Sequence, residues 1–245
     1  MISVTILTKN SQRHIQKVLD AVKPFDEIIV VDTGSTDETI NIVKQFPSVR
    51  LYERPFAGFG PTHNEASSLA SHDWILSIDS DEVLTDALRN EILALSLDPT
   101  CVYSFWRKNY YRNRHIKGCG WFPDRVVRLY NKTKTSFSNA LVHESIATAG
   151  LQVISLAAPA LHYPYERVAD FLVKMNAYTT LYAEQQPRKK SSIPRAVGHA
   201  LFAFIKSYFL QRGFLLGAEG FEIAWFNMNC AFYKYAKRAE ASKGL

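Results

Sequence analysis

A chain of 245 residues, 47% of them hydrophobic, can bury a sizeable core as one large domain or as one domain with a helical extension, and it is not a disordered protein. A net charge of +6 invites anionic partners, yet no zinc-finger, basic-zipper or RNA-recognition signature accompanies it, so an anionic substrate or lipid surface ranks ahead of nucleic acid. Cys101, Cys119 and Cys230 lie far apart with no CxxC pair, which argues against a disulfide framework or a zinc cluster and fits a reducing cytoplasm.

The opening MISVTILTKN has no basic segment before its short apolar run, so it reads as a first strand over Ser3 to Leu7 and not as an export signal. Ile15, Val18, Leu19 and Val22 follow at helical spacing. EIIVV, Glu27 to Val31, is a second buried strand, and Ser35 with Glu38 three residues on predicts a capping box opening a helix with Ile40 and Val43 inward. Val49 to Tyr52 is a third strand, and His63 to Ala70 a short helix. Trp74, Ile75, Leu76 and Ile78 form a fourth strand, and Thr85 caps a helix running through Leu88, Ile92 and Leu95. This alternation predicts an α/β fold, a parallel sheet with helices on both faces.

The fourth strand runs straight into Asp79, Asp81 and Glu82. Clustered carboxylates repel and resist desolvation unless something positive compensates. A polar turn capping the next helix suits Glu82 well and Asp79 poorly; a hard divalent cation, bound through one or two carboxylates plus substrate phosphates, suits the group better. Ligands of such sheets bind outside the carboxyl ends of the strands, where Thr8 and Asn10, Asp32, and Asp79 with Asp81 all fall. Neither G-x-G-x-x-G after the first strand nor a P-loop is present, so a dinucleotide cofactor is not expected.

From about 101 the runs CVYSFW, RVVRLY, SFSNALVHESI and LQVISLAAPALHY suggest a mixed or antiparallel extension. From Arg167 the signal is helical, with Phe171, Leu172, Met175, Tyr178 and Leu181 near a 3.6 spacing, then a polar, Pro-bounded linker at 186–195 and a second aromatic-rich helical stretch. Lys206, Arg212, Glu219 and Glu222 interrupt the apolar region 200–235, so no membrane span is expected. Arg188, Lys189, Lys190 and Arg195 beside Phe202, Phe204, Phe209 and Phe214 instead suit a peripheral membrane surface, although aromatics that merely cover the catalytic domain explain the same composition.

TILTKN at 5–10, VVDTGSTDET at 30–39, GFGPTHNEA at 58–66, ILSIDSDE at 75–82, VHE at 142–144 and LHY at 161–163, in this order and spacing, resemble the family 2 glycosyltransferases, inverting enzymes with a GT-A fold that use nucleotide sugars. The resemblance covers about the first 165 residues and implies a catalytic domain at 1–165 with a helical extension at 166–245 facing acceptor or membrane. RNRHIKGCGWFPDRVVRLYNK, KMNAYTTLYA and RGFLLGAEGF look most like the bacterial glucosyltransferases that extend the inner core of lipopolysaccharide. The resemblance implies that Asp32 faces uracil and ribose, with Thr8 and Asn10 in the same pocket, and that Asn64 lies where the family closes over the nucleotide. Asp79 and Asp81 match the family's D-x-D, Asp81 as a ligand of Mg²⁺ or Mn²⁺ and Asp79 towards ribose. His162 falls where many GT-A enzymes place a second metal ligand, and Glu144 matches the general base. Where the family often carries an Asp in the tail, this chain has Leu216.

The implied reaction moves a hexose from a UDP-sugar to a glycolipid hydroxyl, on the cytoplasmic side and at the membrane surface. Each residue also has a structural reading: Asp32 begins a turn, Asn64 caps a helix, His162 is a core histidine. Arg125 and Arg128 pair with carboxylates or bind acceptor phosphate, and Trp106 and Trp121 stack on sugars or fill the core. His143 rivals Glu144 as base, and strand alternation would let only one of the two face the site. Two other classes compete: a sugar nucleotidyltransferase, for which the G-x-G-x-R loop is missing, and a non-catalytic binder on the same fold.

Overall fold

The structure is a computed structural model that describes residues 1–185 and 191–242. The chain packs into two compact units, Met1–Lys108 with Asp124–His162, and Asn109–Pro123 with Tyr163–Leu245.

In the first unit the alternation is β1 (Ile2–Thr8), α1 (Ile15–Val22), β2 (Glu27–Asp32), α2 (Thr39–Val43), β3 (Val49–Glu53), α3 (Phe59–Ser68), β4 (Trp74–Asp79), β5 (Glu82–Leu84) and α4 (Asp86–Leu93). The antiparallel extension follows as β6 (Cys101–Tyr111), β7 (Arg114–His115), β8 (Arg125–Asn131) and β9 (Gln152–Tyr165). Among the described residues these strands form one sheet in the order β3-β2-β1-β4-β8-β6-β9-β5, with β7 paired to β6. The quartet β3-β2-β1-β4 is parallel, whereas β4–β8, β8–β6, β6–β7 and β9–β5 pair antiparallel, so the sheet is mixed.

Strand alternation divides the core into two layers. Val4, Ile6, Ile28, Val30, Leu76 and Ile78 face one way, against Ile15, Val18 and Leu19 of α1 and Leu88 and Ile92 of α4. Leu7, Ile29, Val31 and Ile75 face the other, with Ala66 of α3. Helices therefore cover both faces, as the near-continuous apolar strands require.

Thr85 caps α4 as expected, its hydroxyl accepting the Leu88 N–H at 3.2 Å. The capping box does not form: α2 starts at Thr39 with no side-chain cap, because the Ser35 hydroxyl is drawn to Asp32 at 2.5 Å. α3 starts at Phe59, earlier than the expected His63, because its first amides find protein carbonyls: Phe59 donates to Leu141 and Gly60 to Ala140, each at 3.1 Å. A Cβ on Gly60 would meet the Ser138 carbonyl at 1.9 Å, so only glycine permits that approach. SFSNALVHESI is not a strand; it is a loop carrying one isolated bridge, Phe137 to Ile146.

The second unit contains α5 (Val168–Gln185), α6 (Ile193–Ile205), a π-helical turn (Lys206–Leu210), a 3₁₀ turn (Gly213–Leu216) and α7 (Ala218–Ala241). α5 forms where the helical spacing predicts; Phe171, Thr179 and Ala183 are buried in it, while Leu172 and Tyr178 are exposed. Trp121 packs against Tyr165 and Phe171, the core reading of that residue. Of the linker cations, Arg188, Lys189 and Lys190 lie outside the described residues. Among the described residues no helix is long and apolar enough to cross a membrane.

Candidate active site

The parallel register sets Thr8 beside Asp32 at the carboxyl ends of β1 and β2. Past Thr8 the chain turns through Asn10 in the left-handed region, φ 52°. Asn10 donates its N–H to Ser35 Oγ at 2.8 Å and accepts the Thr36 N–H on Oδ1 at 2.7 Å, tying the two strand ends together. Asp32 is buried, and its Oδ1 accepts the Gly34 and Ser35 N–H groups at 2.9 and 2.8 Å. Asp32 thus has the turn-forming role. Among the described residues the buried Thr8 hydroxyl has no hydrogen-bond partner.

β4 delivers Asp79, and β5 begins at Glu82. The β5–β9 register sets Glu82 opposite His162, and this brings His162 Nε2 to 3.5 Å from Asp81 Oδ1. The pair predicted from residues eighty positions apart is therefore assembled by one short antiparallel ladder. Two oxygen or nitrogen ligands of one octahedral cation, each bonded at ~2.1 Å, sit roughly 3 Å apart, so the spacing and the carboxylate–imidazole chemistry fit a shared divalent ion whose other ligands come from substrate and water. Among the described residues there is no group of three His, Cys, Asp or Glu side chains disposed to hold a metal on their own.

Beneath the pair lies a charge network of which sequence reading offered only the pairing of Arg128 with carboxylates. Glu82 is wholly buried and Arg128 nearly so, and Arg128 Nη2 donates to Glu82 at 2.7 Å and also to Asp79. Arg107 reaches the same Glu82 oxygen at 2.7 Å and pairs with Asp124 at 2.9 Å. Glu82 is therefore no helix cap. Burial pushes its carboxyl up, but Arg128 and then Arg107 outweigh that and hold it ionised, while burial opposes the Arg128 charge and Asp79 and Glu82 restore it. Of the two arginines flagged in β8, Arg128 takes the carboxylates and Arg125 lies over Trp106 at 3.9 Å, a cation–π contact. Arg107, directly after the CVYSFW run, was the further signal of this network that went unread.

His63 was also missed, although it stands inside the glycine-rich motif. It is buried, stacked on Phe137 at 4.4 Å, hydrogen-bonded through Nδ1 to Ser77 at 3.0 Å, and 3.6 Å from Asp79 through Nε2. Burial lowers its pKa to about 4, so it is neutral at physiological pH. Asn64, one residue on, neither caps a helix nor points free: its amide donates to Phe137 O and accepts from Phe137 N, both at 2.9 Å. With the Gly60 contact, this clamp holds the loop that carries Glu144.

Glu144 lies in that loop, so strand alternation does not decide between it and His143. Backbone conformation separates them: His143 is exposed at φ 57°, whereas Glu144 is partly buried. Burial raises the Glu144 pKa, its own amide and Arg128 and Arg107 pull it back, and Asp79 adds to the rise. Glu144 thus shares the electrostatic environment of Asp79 and the two arginines.

Comparison with known proteins agrees with this architecture. A mannosyltransferase from Pyrobaculum calidifontis, solved with GDP-Man and Mn²⁺, superposes with a TM-score of 0.54 at 15% identity, covering 97% of this chain and 86% of that one, which makes the fold GT-A-like. The architecture is thus mixed α/β and GT-A-like, with a helical C-terminal region. The family model "Glycosyl transferase family 2" matches residues 3–151, and the chain belongs to that family. A glycosyltransferase of Rickettsia felis is 31% identical over 98% of this chain and 90% of its own length. The lipopolysaccharide core biosynthesis glycosyltransferase LpsC of Rhizobium meliloti is 27% identical over 96% of this chain and 91% of its own.

Proposed function

We propose that this protein transfers a hexose, glucose by its inner-core resemblance, from a UDP-sugar to a hydroxyl of a lipopolysaccharide inner-core or related glycolipid, with inversion at the anomeric carbon. The observation that carries the reading is the meeting of Asp81 and His162 at 3.5 Å, beside an Asp79 that shares its electrostatic field with Glu144. Residues 1–165 are then the donor-binding and catalytic part, and the helices from 166 serve acceptor and membrane.

In this reading Thr8, Asn10, Asp32 and Asn64 shape the nucleotide pocket, with the orphan Thr8 hydroxyl available to the base and Asp79 turned to the ribose. A divalent cation, Mg²⁺ or Mn²⁺, held by Asp81 and His162 would offset the charge that gathers on the leaving diphosphate. Arg128 fixes Asp79, and Glu82 fixes Arg128, so the acidic rim meets substrate preorganised. Glu144 takes the proton of the acceptor hydroxyl as that oxygen attacks from the side opposite the diphosphate; a raised pKa makes it the stronger base. One displacement inverts the centre, and no covalent enzyme intermediate forms. Such an acceptor places the protein at the cytoplasmic face of the inner membrane.

LpsC supports the acceptor class, and family membership displaces the nucleotidyltransferase alternative. The test is a panel of UDP- and GDP-hexoses with Mg²⁺ or Mn²⁺, scored by slow release of nucleotide without acceptor. UDP-glucose should be turned over, EDTA should stop it, and Asp81→Ala should abolish it with the fold intact. Full activity in EDTA, or turnover of GDP-hexoses alone, overturns the metal or the donor assignment; no turnover of any sugar nucleotide leaves a binding module.

A further inference from the structure

α6 is built inside out. Its buried residues are Ala196 and Ala200, while Ile193, Val197, Leu201 and Ile205, spaced by four on one face, stand in solvent with Phe202 beside them. The apolar surface continues through the turns that follow, where Phe209, Leu210, Phe214 and Leu215 are exposed, and onto Phe221 and Trp225 of α7. All of these are between 43% and 68% exposed, far beyond the scattered exposed apolar residues that need no explanation.

The turns beneath them are not loose. Gln211 closes the π-helical turn on the Lys206 carbonyl at 2.8 Å, and the Cys119 N–H donates to Gln211 O at 2.8 Å. Asn227 donates to Ser207 Oγ at 2.9 Å. A Cβ on Gly213 would meet Cys119 Sγ at 2.7 Å and one on Gly220 would meet the Gly213 carbonyl at 1.9 Å, so the backbone is packed to the limit glycine allows. A close-packed base holds large apolar side chains outward.

Charge decides what covers them. Between Glu184 and Glu219 the sequence holds Arg188, Lys189, Lys190, Arg195, Lys206 and Arg212 and not one acidic residue. Arg195, Lys206 and Arg212 are exposed. Glu219 and Glu222, which follow, are engaged by Arg114 and Arg112. A two-fold dimer through this patch would set cations against the same cations. An anionic bilayer surface complements both the charge and the apolar stripe. α6, at 13 residues and ~1.5 Å each, is too short for a ~30 Å hydrocarbon core, so it would lie in the interface.

We infer that the outer face of α6 and the 206–216 turns form a membrane-docking surface that seats Phe209, Leu210, Phe214 and Leu215 at the headgroup–acyl boundary of an anionic leaflet. This deepens the membrane partner of the proposed function; it rests on the glycolipid part of that reading and not on the transfer chemistry. The test is flotation of the full chain, without acceptor, on phosphatidylcholine vesicles with and without phosphatidylglycerol. The protein should float with the anionic vesicles at low salt and release as salt rises. Phe209→Glu with Leu210→Glu should lower the bound fraction about tenfold or more, while Leu93→Glu, on an exposed leucine of the first unit, should not. Should the double variant misfold, Lys206→Glu with Arg212→Glu probes the electrostatic half alone. Acceptor-free nucleotide release should survive in both, which separates a failed surface from a failed enzyme. No anionic binding by the native chain, undiminished flotation of the variants, or a dimer in light scattering that Phe209→Glu/Leu210→Glu dissolves would overturn the proposal.

Discussion

The two units invert each other's use of side chains. The first buries charge, with Glu82, Arg128 and most of Arg107 sealed under the acidic rim, whereas the second exposes large apolar groups along α6 and the turns after it. Buried charge is tolerated only when geometry satisfies it, and it is kept where a rigid electrostatic frame is needed. Exposed apolar surface is kept where a partner will cover it. The difference teaches that each unit holds, in its free state, an arrangement suited to a substrate or a surface, and each can be tested against that.

The largest expected effect is at the point where the first unit's charge meets chemistry. Glu144→Gln keeps size and hydrogen bonding but removes basicity, so turnover should fall by roughly 10²–10⁴ with donor affinity little changed. Because burial raises the Glu144 pKa, activity should be present above that raised value and lost as pH falls through it. A pH–rate profile should therefore show an acid limb above the ordinary glutamate range, absent from the residual activity of Glu144→Gln. Near-normal turnover in that variant, with loss in His143→Ala, moves the base to His143.

Next in size is the frame itself. Glu82→Ala strands Arg107 and Arg128 with less counter-charge in a buried place, and breaking such a pair from one side costs about 3–5 kcal/mol. Urea unfolding should show the midpoint fall accordingly. A change under ~1 kcal/mol would mean that Asp79 and Asp124 alone satisfy both guanidiniums.

How far these roles could be read in advance follows from how local their causes are. β1 to β4 were legible because each is an uninterrupted apolar run, and the Thr85 cap because the bond spans three residues. The meeting of Asp81 with His162 came from the family pattern; nothing local to either residue contains the β5–β9 ladder that makes it. Glu82 was misread because a helix-capping carboxylate and a buried one look alike until its arginine partners, 25 and 46 positions away, are in place. α3 was started late because its N-terminal partners are backbone carbonyls of a loop some eighty residues on, which no side-chain pattern announces. Phe202, Phe204, Phe209 and Phe214 were expected from composition to face a membrane or the catalytic domain; only the burial of Ala196 and Ala200 shows which side of α6 is turned outward.

A smaller effect is expected at Asn64. Its amide makes two hydrogen bonds to one peptide, that of Phe137, and Asn64→Ala leaves both backbone groups unpaired in a partly buried place. The loss should be about 1–3 kcal/mol. Turnover should drop less than in Glu144→Gln, since the Gly60 contact still anchors the loop. Hydrogen exchange of the 137–146 amides should rise selectively; unchanged exchange would show that the clamp does not hold the Glu144 loop.

The smallest effect sharpens the contrast from the other side, on two adjacent residues of α6. Leu201 is 56% exposed and Ala200 6%, the reverse of what their sizes suit in a helix that serves only to cover a core. If the large residue has no partner within the isolated protein, Leu201→Ser removes little that folding uses, and the unfolding free energy should change by no more than ~0.5 kcal/mol, the range of ordinary surface changes. Ala200→Leu, three methylene-sized groups larger, must be fitted where α6 meets its neighbours and should cost about 1–3 kcal/mol by overpacking. The small residue then matters to the fold and the large one does not. A loss of 2 kcal/mol or more in Leu201→Ser would place that side chain in a packed interface of the free protein, and the stripe would have to be explained by internal packing rather than by a surface it meets.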